Sequence, residues 1–296
     1  MSRGWRRRAL ACFGFGLLSA CLTNEPDPDA SGIYACVGTE DCPGEQACLQ
    51  GVCEAVALPV VTISSPEDLE ALPFGTEHQE VLSLTGANLT LRPLSESGEA
   101  VPGEGHIVVF VDEVEVLVID SGNLGAGIQE FIDIPDTPGV HYIRAQARLN
   151  DGSDYDNPEG SGRNLVWVDD GREHVALRRP WLRERFGLDE QSIEVEIEVL
   201  GGMTVGPPSD TEAIHAHIYY DQMLPECLNI PLCEAGYNGV VPSNAGEFGP
   251  IPIPASEPGP ATISASLAES GHTVYLEEST MMPVVTEVTI FREALP

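Results

Sequence analysis

The side chains best placed to do chemistry are two closely spaced histidines, one acidic loop and eight cysteines. His215 and His217 alternate along the run Ile214-His-Ala-His-Ile-Tyr-Tyr-Asp221. In a strand such positions face the same way, roughly 6.5–7 Å apart, so both rings can reach one Zn²⁺ or Cu²⁺. Glu212, Tyr219 and Asp221 stand near enough in sequence to add ligands. The plainer reading buries Ile214, Ala216, Ile218 and Tyr220 and leaves the histidine face exposed or half covered. In the stretch Asn150–Gly160, Asp151, Asp154 and Asp156 could hold Ca²⁺ through carboxylate oxygens. That loop departs from the EF-hand pattern at Pro158 and Glu159, and its Asp and Asn side chains suit an ordinary turn equally well. No cofactor beyond such ions is expected.

Catalytic signatures are absent from the sequence: there is no G-x-S-x-G, no H-E-x-x-H and no phosphate-binding glycine loop. The basic residues, 14 in all, are every one arginine, which excludes Schiff-base and P-loop lysine chemistry. With 47 acids and a formal charge of −33 the chain has no basic face for nucleic acid. Apolar residues make up 42%, enough for folded cores in a chain of 296 residues. The sequence therefore favours a non-enzymatic protein. Two alternatives stand beside it: a metal-binding protein or hydrolytic enzyme using the His215/His217 face, and a purely structural component.

Arg3, Arg6, Arg7 and Arg8 precede an apolar run from Ala9 to Ala20, the layout of an export signal too short to span a bilayer. Leu18-Ser19-Ala20-Cys21 closes it and resembles the lipobox of bacterial lipoproteins. That resemblance implies acylation of Cys21, removal of residues 1–20, and a protein held at the membrane, with the outer membrane or cell surface favoured by Leu22. Several acyl chains would anchor firmly, since each buried methylene contributes ~0.8 kcal/mol. The mature chain would carry 10 Arg against 47 acids. Residues 21–32 then read as a polar, Pro-punctuated tether.

Cys36, Cys42, Cys48 and Cys53 crowd one short exported stretch, residues 33–56, which reads as a disulfide-stapled knob because so short a segment cannot bury a core. Spacing alone leaves three pairings open. The string from Cys36 to Cys53 resembles small EGF-like or Dickkopf-like cysteine-rich modules of secreted and surface proteins, and the resemblance implies pairing 36–48 with 42–53. Cys227 and Cys233 would close a second short loop carrying Leu224, Leu228, Ile230 and Leu232, a candidate contact surface or a simple cap.

From Val56 onward, short β-branched runs alternate with Gly, Pro, Asn and Asp clusters, and no long run holds a helical period. Strands are expected at 60–64, 81–84, 89–92, 106–111, 114–119, 129–134, 140–149, 165–168, 192–200, 215–220, 251–253, 261–267 and 284–291. His106-Ile-Val-Val-Phe-Val-Asp112 also matches His215-Ala-His-Ile-Tyr-Tyr-Asp221, and Pro138-Gly139 matches Pro258-Gly259. The order repeats, which points to one sandwich copied at 57–170 and 190–296. The histidine-to-aspartate strand resembles an immunoglobulin-like fold of bacterial surface proteins with the form G-H-x-H-hydrophobic-x-x-D. Gly105 and His106 fit it in the first copy, where Val108 replaces the second histidine. His215 and His217 fit it in the second, where Ile214 replaces the glycine.

Residues 171–189 hold Arg172, Arg178, Arg179, Arg183 and Arg185 and read as an Arg-rich hinge with a short helix over 180–187. Assembled, the expectation is an all-β chain: two tandem immunoglobulin-like β-sandwiches preceded by a small disulfide-stapled knob. Its expected role is a lipid-anchored binding or adhesion module, its partners the membrane through the acyl anchor and an envelope or extracellular protein or glycan.

Overall fold

The computed structural model describes residues 46–49, 52–55, 57–96, 98, 100–155, 157–221, 237–242, 248–253, 258–278 and 280–294. The export signal, Cys21, the tether, Cys36, Cys42, Cys227, Cys233 and the apolar loop 224–232 lie outside them. The chain forms two compact units, 1–56 and 57–296. In the first, β1 (Gln46–Leu49) and β2 (Val52–Ala55) make an antiparallel hairpin in which Cys48 stands opposite Cys53. Cys53 is buried and disulfide-bonded; the pairing of the four cysteines falls outside the described residues.

The second unit is built from strands, and its described residues contain no α-helix. Its first half runs β3 (Val60–Ser65), β4 (Glu70–Pro73), β5 (His78–Ala87), β6 (Thr90–Leu91), β7 (Glu104–Val111), β8 (Val114–Ile119), β9 (Ile128–Ile134), β10 (Gly139–Arg148) and β11 (Ser161–Asp169). These form one sheet of order β3-β5-β9 and a second of order β4-β11-β10-β7, with β6 and β8 both pairing β7. Alternation drives this: β5 buries Leu82 and Leu84 while Val81 and Thr85 point outward. Between the sheets Val61, Ile63, Leu82, Leu84, Ile107, Val109, Ile143 and Val166 close the core.

The second half repeats the pattern. Its strands are β12 (His174–Arg179), β13 (Arg185–Gly187), β14 (Ser192–Leu200), β15 (His215–Tyr220), β16 (Gly239–Val241), β17 (Phe248–Pro252), β18 (Gly259–Ala268) and β19 (Val285–Glu293). The sheets are β12-β14-β17 and β13-β19-β18-β15-β16. Seven strands find a counterpart in the same place: β12 for β3, β13 for β4, β14 for β5, β15 for β7, β17 for β9, β18 for β10 and β19 for β11. This is the immunoglobulin-like arrangement twice over, with the first strand of each copy crossing between sheets.

That crossing corrects the reading of 171–189. No hinge helix forms there; the segment supplies the first two strands of the second sandwich. Val175, Ala176 and Leu177 are all buried within β12. At the crossing Arg183 adopts a left-handed φ of 62°, and the Glu184 carboxylate accepts the Trp181 N–H at 2.6 Å. The first copy turns the same way, with Leu69 at φ 64° and the Glu70 carboxylate accepting the Glu67 N–H at 2.9 Å. A cis X-Pro bond stands at each crossing, Ser65-Pro66 and Arg179-Pro180. The helix expectation failed because Pro followed by mixed polar residues suits a helix start and this corner equally well.

The crossing also joins the two sandwiches. Tyr142 and Leu165 of the first copy belong to the core of the second. The Tyr142 hydroxyl donates to the Leu177 carbonyl at 3.0 Å, and its ring meets Trp181 edge-on with centroids 5.1 Å apart. Burial pushes the Tyr142 phenol far above its usual range. At the rim of the junction Arg178 pairs with Asp68 at 2.6 Å. The two copies therefore share apolar surface.

Removing Trp181 from this shared core should cost about 3–5 kcal/mol and uncouple the copies. Calorimetry of the full chain is expected to show the two sandwiches melting in one transition in the wild type and in two in Trp181→Ala. Two separate sandwich transitions already in the wild type would refute a shared core.

A second prediction concerns Asp112, which follows β7 in a left-handed φ of 49°. One of its oxygens accepts the Tyr142 N–H at 2.8 Å and the other lies 2.6 Å from His141 Nδ1. His141 Nε2 lies 2.9 Å from the Thr137 carbonyl, so the ring faces two acceptors and suits them best when doubly protonated. Burial pushes the imidazole down, but the Asp112 carboxylate and the Thr137 carbonyl outweigh it and the net shift is upward. A raised histidine contributes its stability in full below the unfolded value near 6.5 and loses it as pH rises through the folded value. His141→Gln should therefore cost about 1 kcal/mol near pH 5.5, a figure discounted because Asp112 is 36% exposed, and less near pH 8.5. Urea melts at the two pH values measure the difference; an equal cost at both would remove the pair as its source.

Candidate functional site

β15 presents both of its faces to cover. Ala216, Ile218 and Tyr220 enter the sandwich core, while His215, His217 and Tyr219 point from the opposite side of the sheet. That outer side is not solvent, contrary to the expectation of an exposed histidine face. The connection between β18 and β19 folds back over it, bridging Ala268 to Val274 and Leu276 to Pro283. Val274 and Leu276 pack on Tyr219. The result is that His215 is 0% and His217 4% exposed.

The same connection delivers a third imidazole. A 3₁₀ turn at Ser270–His272 places Gly271 at φ 77° and His272 at φ 64°, and the His272 N–H donates to the Glu269 carbonyl at 3.1 Å. His217 Nε2 then lies 3.1 Å from His215 Nε2 and 3.0 Å from His272 Nδ1. One ring nitrogen from each of the three histidines lies within 4.8 Å of the others. Tyr237, just before β16, stacks on His217 with centroids 4.1 Å apart and holds its hydroxyl 3.3 Å from His272 Nδ1. His272 itself is exposed and forms the entrance.

Electrostatics keep the buried rings neutral. Burial first, then the His272 ring, pushes His215 down to about 4. Burial, then His215 and His272, push His217 down to about 3. His215 Nδ1 is buried without a hydrogen-bond partner. Neutral imidazoles with converging lone pairs are the protonation state a metal ion takes up.

Of the residues suggested by sequence, His215 and His217 are thus brought together, while Tyr219, Asp221 and Glu212 are not. Tyr219 is spent on packing, Asp221 sits in the turn after β15 with its N–H on the Thr262 carbonyl at 2.7 Å, and Glu212 is exposed in a separate loop. Sequence reasoning missed His272 and Tyr237, which lie 55 and 20 residues beyond His217 and arrive only through loop folding. In the acidic loop the two described carboxylates, Asp151 and Asp154, are engaged separately. Asp151 accepts from the Ser153 N–H and hydroxyl at 2.9 and 2.6 Å, and Asp154 pairs with Arg148 at 2.6 Å. Asp156 lies outside the described residues.

A second feature is a cleft of about 530 Å³ where the two sandwiches meet. Arg144, Arg148 and Arg163 line it from the first copy, Arg183 and Arg185 from the second. Phe110 lies beneath, with the Arg144 guanidinium 4.2 Å and the Arg148 guanidinium 5.4 Å from its ring centre. Acids answer much of this charge. Arg144 holds Glu113 with two bonds of 2.9 and 2.6 Å, and Arg185 reaches Glu293 at 3.5 Å. Breaking the Arg144–Glu113 pair, both side chains being 10–13% exposed, would leave a poorly solvated charge.

No protein-family model matches the chain, and no curated protein does. Among solved structures, the chain is similar to the fibronectin(III)-like modules of Clostridium thermocellum CbhA, at 14% identity over 79% of this chain and 95% of that one, with a TM-score of 0.24. It is also similar to the BSP domain of a biofilm-associated protein, at 13% identity over 79% of this chain and 30% of that one, TM-score 0.25. The titin domains Z1Z2 solved with telethonin match at 9% identity over 81% and 98% of the two chains, TM-score 0.20. Superpositions this loose carry no argument about function; the fold stands on the strand order.

Proposed function

We propose that this chain is an exported lipoprotein, held by acylated Cys21, that acts as a non-enzymatic binding or adhesion module at the bacterial cell surface. The knob of residues 33–56, with disulfides 36–48 and 42–53, would follow the tether, and a 227–233 disulfide would staple a loop of the second sandwich. The observation that carries the binding role is the junction. Because the copies share a core through Tyr142 and Trp181, they enclose a cleft that neither could form alone, and residues of both line it. In a chain with 47 acids, this is a place where guanidinium groups gather around an aromatic floor, suited to an acidic group on an envelope or extracellular protein or glycan.

Two experiments test the reading. Cys21→Ser should move the protein from the membrane to the soluble fraction; a variant that still partitions with the membrane would reject the acyl anchor. A photo-crosslinking residue at Arg185 should yield adducts on cells, whereas one at Val81, on the outer face of the β3-β5-β9 sheet, should not. Equal yields at the two positions would reject the cleft as the contact surface.

A further inference from the structure

We propose that His215, His217 and His272 form a binding site for a zinc-class divalent transition-metal ion, in the second sandwich only. The site is independent of the tether and of the cleft.

The first argument is distance. Zinc–nitrogen bonds of 2.0–2.1 Å in tetrahedral geometry put ligand nitrogens roughly 3.3 Å apart. The observed separations are 3.1 and 3.0 Å around His217 Nε2, with the third pair inside 4.8 Å. An ion needs only small ring movements to meet all three.

The second argument is hydrogen-bond arithmetic. A ring nitrogen carries either one proton or one lone pair, so His217 Nε2 can satisfy one of its two imidazole neighbours well and must leave the other poorly met. Among the described residues no carboxylate joins this cluster, which is made of histidines. The fully buried His215 has no partner at Nδ1, so Nε2 is the atom through which its burial can be compensated. One cation accepting three lone pairs resolves a conflict that the ring nitrogens cannot resolve among themselves. Three imidazoles are also a zinc donor set that leaves a fourth position open, and here the Tyr237 hydroxyl stands beside it, 3.3 Å from His272 Nδ1.

The third argument is the contrast between the copies. β7 offers His106 and Val108 where β15 offers His215 and His217, so the first sandwich lacks the second ligand. The equivalent connection of the first sandwich, between β10 and β11, bridges back in the same way from Arg148 to Asp154 but carries no histidine. Access is through His272, the exposed member, while the other two are fixed by the strand.

The test uses the full chain in detergent, stripped with chelator and titrated with ZnCl₂ by calorimetry, with Co²⁺ as a spectroscopic probe. The expected result is one zinc per chain, a rise in the melting temperature with zinc, and visible bands of a tetrahedral cobalt site. His272→Ala, an exposed position that leaves the core intact, should weaken zinc about a hundredfold and abolish those bands, whereas His174→Ala should change neither. His217→Ala should abolish binding; if that variant fails to fold, His272→Ala decides alone. Absence of saturable zinc binding, or binding that His272→Ala leaves unchanged, would overturn the site.

Discussion

The packing of Trp181 against Tyr142 is the contact on which the rest of the molecule depends. Trp181 belongs to the corner where the first strand of the second sandwich leaves one sheet for the other, and Tyr142 lies in the central strand β10 of the first. By burying both rings in one cluster, the chain makes a corner of one domain into part of the wall of its neighbour. The linker is correspondingly short: β11 ends at Asp169, β12 begins at His174, and His174 Nε2 lies 2.9 Å from the Asp170 carboxylate. Two sandwiches joined this way have little freedom to swing. The cleft between them is consequently a fixed feature of the surface, and its arginines hold set positions.

The repeated topology then explains how the second sandwich can carry a specialised outer face. A sandwich needs only the residues that alternate inward, and β7 and β15 meet that need with Ile107, Val109 and Val111 in one and Ala216, Ile218 and Tyr220 in the other. The outward positions are released from core packing. In the first copy they carry Phe110 beneath Arg144 and Arg148; in the second they carry the two histidines and Tyr219, sealed by the connection between β18 and β19. One topology thus supports an arginine-aromatic face and an imidazole face, each set by a few outward side chains.

Much of this was legible in the sequence, and the misses have physical causes. Strands such as Val114–Ile119 and Ser192–Leu200 were readable because alternation and flanking turns define them locally. β12 was not readable, because Arg178, Arg179 and His174 surround three buried residues that show no alternation, Val175, Ala176 and Leu177. All three join one cluster that includes Tyr142 of the first copy, a contact across domains that no local pattern encodes. β13 and β16 are three residues long and carry too little periodicity to register. At the imidazole cluster, the sequence disclosed the pair whose spacing the strand fixes. His272 and Tyr237 come from loops, and loop geometry leaves no period to read.

Charge is the remaining constraint, and the arginines show how it is managed. A body this acidic repels itself, and concentrating guanidinium groups at the junction offsets that repulsion where two acidic domains must touch. Arg178 bridges to Asp68 across the junction, Arg183 leans toward Glu113 of the first copy at 3.8 Å, and Arg179 faces Glu194 and Glu196 within its own. The exposed pairs add little stability singly, so apolar contact carries the joint and the arginines lower the electrostatic cost of making it. The imidazole cluster solves the opposite problem. Two of its rings are buried in an acidic protein with their ring nitrogens converging on the third, and a cation is the kind of ligand such a field draws in.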